Sequence, residues 1–555
     1  MIGVLSLENE RESVKEFFEL FKTPWEFFSE DRRYDVILTT QDHIPDCDAK
    51  LIIVFGSNKR QFNEFKKVKV KDTFQNISVE YKDTKIPIYG SVLSFEGEVQ
   101  PILKVEGRPE IVGIAFEDSV KKIALLGFDL FKEVHHLLTI GQPVENALFP
   151  ALELHISLIR DLILQAGIVF VEIPPIPAGY EYIACLTHDV DFMGIRDHKF
   201  DRSAFGFMSR VFFPYSMRDQ ESKICWSKPI RNVKALMTLP GVYLGLLKDF
   251  WFQIDRYIEI EGDVPSTFFF IPVKDHPGDK DLSDSKPKEY RAAKYDVRDY
   301  KTSIHKLIQK GCEIGVHGID AWHCPKRGQQ ELQTIRRIAD EDKPLGIRMH
   351  WLYFSESSPK ILEEAGFLYD STLGYNNGVG YRCGTTQIFR LPGSFGLFEL
   401  PLHIQDTSMF LKGRMNLSHK KAMQLCENVI KDIRNYGGVL TVNWHQRSLG
   451  PERNWDDFYV KLINKLKADS VWFTTARQAV LWFKKRRSVQ FKEIQESSDK
   501  IGIKVTSEDD TDLPGLLMRI HHRKVDSTDS KKMAGSEKSF VDIPWSRMLE
   551  KSLSY

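Results

Sequence analysis

Cysteine is scarce and unpatterned: seven residues in 555, an odd number with no CxxC pair. That excludes a disulfide framework and a zinc ribbon and points to a reducing compartment. An excess of one charge is missing, with Lys plus Arg and Asp plus Glu both at 77, so nothing in the overall balance would select nucleic acid or another polyanion. No apolar run reaches the roughly 20 residues that cross a bilayer. The greasiest stretch, Leu236 to Phe252, is interrupted by Pro240 and Gly241 and carries Lys248 and Asp249; it reads as a buried or interfacial helix. The chain opens MIGVLSLENERESVKEFF, with neither a basic leader nor an apolar core ending in small residues, so export is not expected and a cytoplasmic protein is.

What is present has the balance of an ordinary globular protein: 42% hydrophobic, 28% charged and 12% aromatic residues. A chain of 555 residues divides into several domains. Residues 1–145 hold short apolar runs, such as those at Asp35–Thr39 and Leu51–Phe55, between Gly, Pro and Asp, and suit a small α/β domain of unknown role. Residues 146–179 are a helical segment, Ala147–Ala166, and a stiff joint with prolines at 174, 175 and 177. From 180 to 488, strand-like runs at Tyr182–Thr187, Ser266–Ile271, Glu313–His317, Gly346–His350, Phe398–Leu402 and Val439–Trp444 alternate with helical ones at Asp299–Lys310, Gln329–Asp340, Ser358–Ala365, His419–Asn435 and Asn454–Ala468. Such alternation implies βα units and a mostly parallel sheet or barrel. Residues 197–261 exceed an ordinary βα loop and read as a helical insertion that either roofs the site or mediates oligomerisation, so a homo-oligomer is compatible. The tail, 489–555, is polar, with runs such as Asp526–Lys532, and is expected to be partly disordered.

Several of these strands end in residues that do chemistry. Ile183-Ala-Cys-Leu-Thr-His-Asp-Val-Asp191 places Asp189 and Asp191 two positions apart, where one can bind a cation and the other stand by as a base. Gly311 to His323 ends with His317, Asp320 and His323 within seven residues, good ligands for zinc and related ions. Val439 to His445 again runs into a histidine, whose ordinary pKa near 6.5 suits proton donation at neutral pH.

Thr-His-Asp-x-Asp at 187–191, Ser-Thr-Phe-Phe-Phe at 266–270 and Glu-Ile-Gly-x-His at 313–317 resemble, in order and spacing, the polysaccharide deacetylase family with its NodB homology domain. The resemblance implies a distorted (β/α) barrel that hydrolyses acyl groups on sugars at a divalent metal, zinc foremost, with cobalt, nickel or iron as alternatives. It implies Asp189 as general base, Asp191 and His317 as metal ligands, Arg348 holding Asp189 by a fork of hydrogen bonds, and His445 as general acid. Asp370, in Tyr369-Asp-Ser-Thr, stands where the family often keeps an orienting acid. The family's second metal histidine follows the first by four residues; here that position is Ala321. His323 is the expected third ligand, Asp320 the runner-up, and a water serves if the protein supplies only Asp191 and His317. Arg382, His403 and Trp351 are candidate substrate contacts, as is His350. Trp322, Tyr353, Tyr375 and Trp444 could stack on sugar rings or belong to the core.

The expected function is therefore metal-dependent removal of an N-acetyl or related acyl group from a carbohydrate, on a nucleotide-linked or lipid-linked precursor. Two alternatives stand beside it: an amidohydrolase acting on a non-sugar amide, and an inactive module that binds glycan.

Overall fold

Two apolar runs near the amino terminus form the interior of a nine-stranded sheet. In this computed structural model, which describes all residues except 46, 63–64, 66–67, 98–99, 119–120, 200, 213–226, 283–287, 498–499, 509–511, 522–539 and 555, Val36–Thr39 and Leu51–Phe55 are neighbouring parallel strands, every residue buried. Continuous burial without alternation is what a parallel strand covered on both faces requires. Ile2–Leu5 and Trp25–Phe27 extend the parallel part on one side and Lys121–Leu126 on the other. Beyond these lie Ile111–Asp118, Thr84–Glu96, Lys69–Tyr81 and Gln100–Val105, antiparallel. The long hairpin of Lys69–Tyr81 and Thr84–Glu96 turns on Lys82 and Asp83 at φ of 47° and 63°, a pair of left-handed residues whose twist matches the two strands.

The second unit is built on a ten-stranded sheet. Its path is Phe389–Arg390, Phe398–Glu399, Tyr369–Asp370, Gly346–Met349, Glu313–Gly318, Ser266–Phe270, Tyr182–Val190, Val439–Asn443 and Ile404–Gln405, with Val471–Phe473 joined to the start of Tyr182–Val190. All pairings are parallel except Phe389–Arg390 with Phe398–Glu399. The two ends of the path do not pair with each other among the described residues. The expected helices form within a few residues of their reading, at Lys301–Gln309, Pro325–Ala339, Ser358–Ala365, His419–Tyr436 and Asp456–Lys467. Ser358–Ala365 stops at Gly366, whose φ of 93° few other residues tolerate.

Helix Ser227–Tyr243 carries Pro240 in its final turn, where the N–H that would donate to the Leu236 carbonyl is missing. The polar tail carries five strands among its described residues. Leu516–His521 pairs with Phe170–Glu172 of the joint and with Phe540–Trp545, while Gln490–Ser497, Lys500–Thr506 and Met548–Ser554 form a separate sheet. Leu516, Met518 and Ile520 alternate inward and pack with Ile543 and Trp545, so a period-two pattern lay inside a polar composition. Asp526–Lys532 lies outside the described residues. Among the described residues, six cysteines are free thiols.

Candidate active site

Side chains alternate along a strand, so residues two apart share a face. Asp189 and Asp191, at the end of Tyr182–Val190, therefore look the same way. His188, one residue before Asp189, looks the other way, its Nδ1 bonded to the Trp444 carbonyl at 2.9 Å. On the adjoining strands His317 is level with Arg348 in the parallel register, His350 follows Arg348 by two, and His445 follows Asn443 by two. Parallel strands that end together bring these side chains to one place, the usual ligand position in open α/β sheets.

Donor atoms of Asp191, His317 and His350 lie within 4.8 Å of one another. His317 Nδ1 is 2.9 Å from the Arg348 carbonyl oxygen. A carbonyl only accepts, so this nitrogen carries a proton, and Nε2 lies within hydrogen-bond range of Asp191 Oδ1 at 3.1 Å. His350 Nε2 is 3.6 Å from the same oxygen, and burial pushes this imidazole down to about 3, so it stays neutral at neutral pH. Burial opposes the charge of Asp191, yet the histidines around it hold its carboxyl far below the usual range. The donor set, two imidazoles and one carboxylate, fits a divalent ion such as zinc.

Asp189 is buried and fully hydrogen-bonded. Arg348 Nη1 donates to Oδ1 at 3.0 Å, and Asn443 Nδ2 donates to Oδ2 at 2.7 Å. Burial would raise this carboxyl, but Arg348 first, then His317 and His445, keep it below the ordinary value. The expected fork on Asp189 is a single contact: the other arms of Arg348 go to Thr187 Oγ1, the Ser371 carbonyl and Ser371 Oγ, so the guanidinium locks three strands as well as one carboxylate. His445 closes the group. Its Nε2 is 3.7 Å from Asp191 Oδ2 and 4.0 Å from Asp189 Oδ2. Asp406 accepts from His445 Nδ1 at 2.6 Å and from the His445 backbone N–H at 2.8 Å. Burial disfavours the imidazolium, but Asp406 outweighs it and holds the pKa above its ordinary value.

Other expected residues lie elsewhere. His323 does not join Asp191 and His317: its Nε2 is 3.0 Å from Asp320 Oδ1, and His276 Nε2 is 2.6 Å from Asp320 Oδ2. The segment after Gly318 turns away from the strand ends, which is why a histidine six residues on cannot replace one four residues on. His276, Asp279 and Asp320 make a second group of donors within 4.8 Å, where Asp320 is bonded by both His276 and His323 and Asp279 by Arg327. Asp370 is sealed beneath Arg348, its Oδ1 bonded by Thr372, and burial raises its carboxyl to about 7. Arg382 donates to the Gly374 carbonyl, and its own carbonyl accepts from Gln142 in the first unit. His403 is buried between the Thr385 carbonyl and the Thr441 N–H. Trp444 stacks on Phe458 and Tyr459 in the core, and Tyr375 donates to the Gln142 carbonyl. Trp351 stays beside the site, its ring 5.8 Å from that of His350, at a φ of 65°. Asp406 and Asn443 were not anticipated. Asn443 had a signal, being two before His445; Asp406 had none.

No family model matches the sequence, and no curated protein does. Solved structures similar to the chain include a Mycobacterium smegmatis protein assigned as a polysaccharide deacetylase, 18% identical, covering 56% of this chain and 95% of its own, at a TM-score of 0.35. An allantoinase is 16% identical over 56% of this chain and 92% of its own, at 0.34. A Pseudomonas aeruginosa protein assigned as a polysaccharide deacetylase is 13% identical over 56% and 94%, also at 0.35. Polysaccharide deacetylases are thus among the solved structures that this chain resembles over 56% of its length.

Proposed function

We propose that the chain is a hydrolase that removes an acyl group from the nitrogen of a carbohydrate, with the open ten-stranded sheet read as a distorted (β/α) barrel. The observation that carries this reading is the meeting of three metal-type donors with one held carboxylate and one held imidazole at the ends of adjoining strands. Asp191, His317 and His350 would hold a divalent cation, zinc by donor type. When bound, the cation supplies Lewis acidity toward water and the acyl carbonyl.

The remaining steps belong to side chains. Asp189, kept ionised by Arg348, takes a proton from the attacking water as the carbon–oxygen bond forms. His445, its imidazolium favoured by Asp406, gives its Nε2 proton to the leaving nitrogen as the carbon–nitrogen bond breaks, and a free amine and a carboxylate result. Arg348 and Asn443 fix both oxygens of Asp189, so the base does not swing toward the imidazoles.

The test joins elemental analysis to an assay of acetate released from N-acetylglucosamine oligomers. Wild type and His323→Ala should hold about one divalent ion per chain and release acetate. Asp191→Ala, His317→Ala and His350→Ala should lose both ion and turnover. A wild type that binds no ion in saturating zinc, or an ion kept by His350→Ala and lost by His323→Ala, refutes the reading.

A further inference from the structure

Large apolar side chains exposed on the described surface are concentrated in one place. Of nineteen, eight fall between Phe205 and Leu247, less than a tenth of the chain. Helix Ser227–Tyr243 is apolar on two sides. One side carries Ala235, Leu239 and Val242 onto Phe207 and Trp251 in a small core. The other presents Ile230, Val233 and Met237 at spacings of three and four, and the turn that follows adds Leu244, Leu246 and Leu247; Met237 and Leu246 are each 77% exposed. A helix whose second apolar face meets no protein among the described residues is a candidate docking face.

The polar residues of this stretch indicate the partner. From Ser227 to Lys248 there are four cations, Lys228, Arg231, Lys234 and Lys248, and no Asp or Glu. Lys228 and Arg231 turn back to Asp457 and Asp456. Lys234 stands exposed between Val233 and Met237, and Lys248, at the foot of the ridge, is 69% exposed while pairing with Asp255 at 2.9 Å. The neutral balance of the whole chain averages over this local excess.

We propose that the ridge from Ile230 to Leu247 seats in the surface of an anionic lipid bilayer. The side chains that would enter are aliphatic, and the outward charges beside them are lysines, the pattern of an interfacial helix that sinks an apolar face to the acyl boundary and sets its cations at the headgroups. A protein-binding face would carry aromatic or arginine anchors and a rim of both signs. No helix among the described residues is long and apolar enough to cross a membrane, so attachment is peripheral.

The ridge is fixed to the site's border. Arg231 donates to Asn454 and Asp456, and Asn232 Oδ1 accepts from the Glu452 N–H and from Asn454 Nδ2, in the segment that follows His445. Resting on the deacylase reading, this places the acylated sugar at a membrane surface.

The test is flotation of the full chain with vesicles of phosphatidylcholine alone and with about 30% phosphatidylglycerol, using metal-free as well as metal-loaded protein, so that the outcome does not depend on the catalytic reading. Both forms should float with the anionic vesicles and bind at least about tenfold less to neutral ones or in high salt. The pair Met237→Glu with Leu246→Glu should lose at least about tenfold in binding, with thermal midpoint and metal content unchanged. Flotation of the wild type with neither vesicle, or flotation of the pair like the wild type, overturns the proposal. So does a fall in the thermal midpoint of the pair, which would mean that the chain itself covers the ridge. A lipid-free dimer that the pair converts to monomer would assign the ridge to a second copy and overturn it equally.

Discussion

Glu153→Gln should stabilise the protein at pH 8 and change it little at pH 5. Glu153 opens the helix Ala151–Gln165 and is fully enclosed where this helix meets the loop before Phe389–Arg390. Its Oε1 accepts from Thr385 Oγ1 at 2.7 Å, Thr386 N at 3.0 Å and Thr386 Oγ1 at 3.1 Å, while Oε2 has no hydrogen-bond partner among the described residues. Burial raises the carboxyl to about 7 against those hydrogen bonds; the unfolded chain would titrate near about 4.3. With the folded value above the unfolded one, the contribution to stability is whole below about 4.3 and is lost as pH rises through about 7. At 1.36 kcal/mol per unit over about 2.7 units, the loss is about 3.5 kcal/mol by pH 8, against about 1 kcal/mol at pH 5. Glutamine keeps the accepting oxygen and does not titrate. A chain of several units need not unfold in one step, so the readout is the thermal midpoint of variant and wild type at both pH values. The variant's advantage should widen by several degrees at pH 8. A variant that melts lower than wild type by the same amount at both pH values, or by more at pH 8, would show that Glu153 is ionised and that its charge serves the hydrogen bonds.

Two further outcomes are expected. Asp406→Asn removes the carboxylate that orients and charges His445 and should lower kcat by about 10² to 10⁴ with KM and metal content nearly unchanged; an effect confined to KM would place Asp406 in binding instead. Glu172→Gln should cost about 3 kcal/mol at pH 7. Burial opposes the Glu172 charge, but Arg160 at 2.8 Å and His521 at 2.9 Å hold its carboxyl far below the usual range. That stability is present above the unfolded value near 4.3 and lost as pH falls below it, so the two melting curves should converge in acid, and a gap that stays constant down to pH 3 contradicts the pairing.

The parallel strands of both units were legible because a strand covered on both faces must be apolar throughout: Leu51–Phe55, Ser266–Phe270 and Val439–Asn443 are buried at every residue. The hairpin Lys69–Glu96 was not legible, since its first strand is mostly exposed and its turn is Lys-Asp, without the glycine that marks such turns. The strands of the tail were hidden for a related reason. Its polar residues occupy the outward positions of alternating strands, and composition does not distinguish that from a solvated chain.

The third metal donor turned on a choice between two kinds of neighbourhood. Looking for a second histidine close after His317 assumes that both ligands come from one segment, as they do when four residues span a helical turn. Here the segment after Gly318 turns toward His276, and the third candidate donor, His350, comes from the next strand. Register supplies it: His317 is level with Arg348, so a strand that turns Arg348 toward Asp189 must turn His350 the same way. The two-residue periodicity that links Asp189 to Asp191 and Asn443 to His445 also links Arg348 to His350. Once Arg348 was assigned to the base, the histidine two positions on was already committed to the same face, and only the length of the strand beyond Arg348 was missing from the sequence.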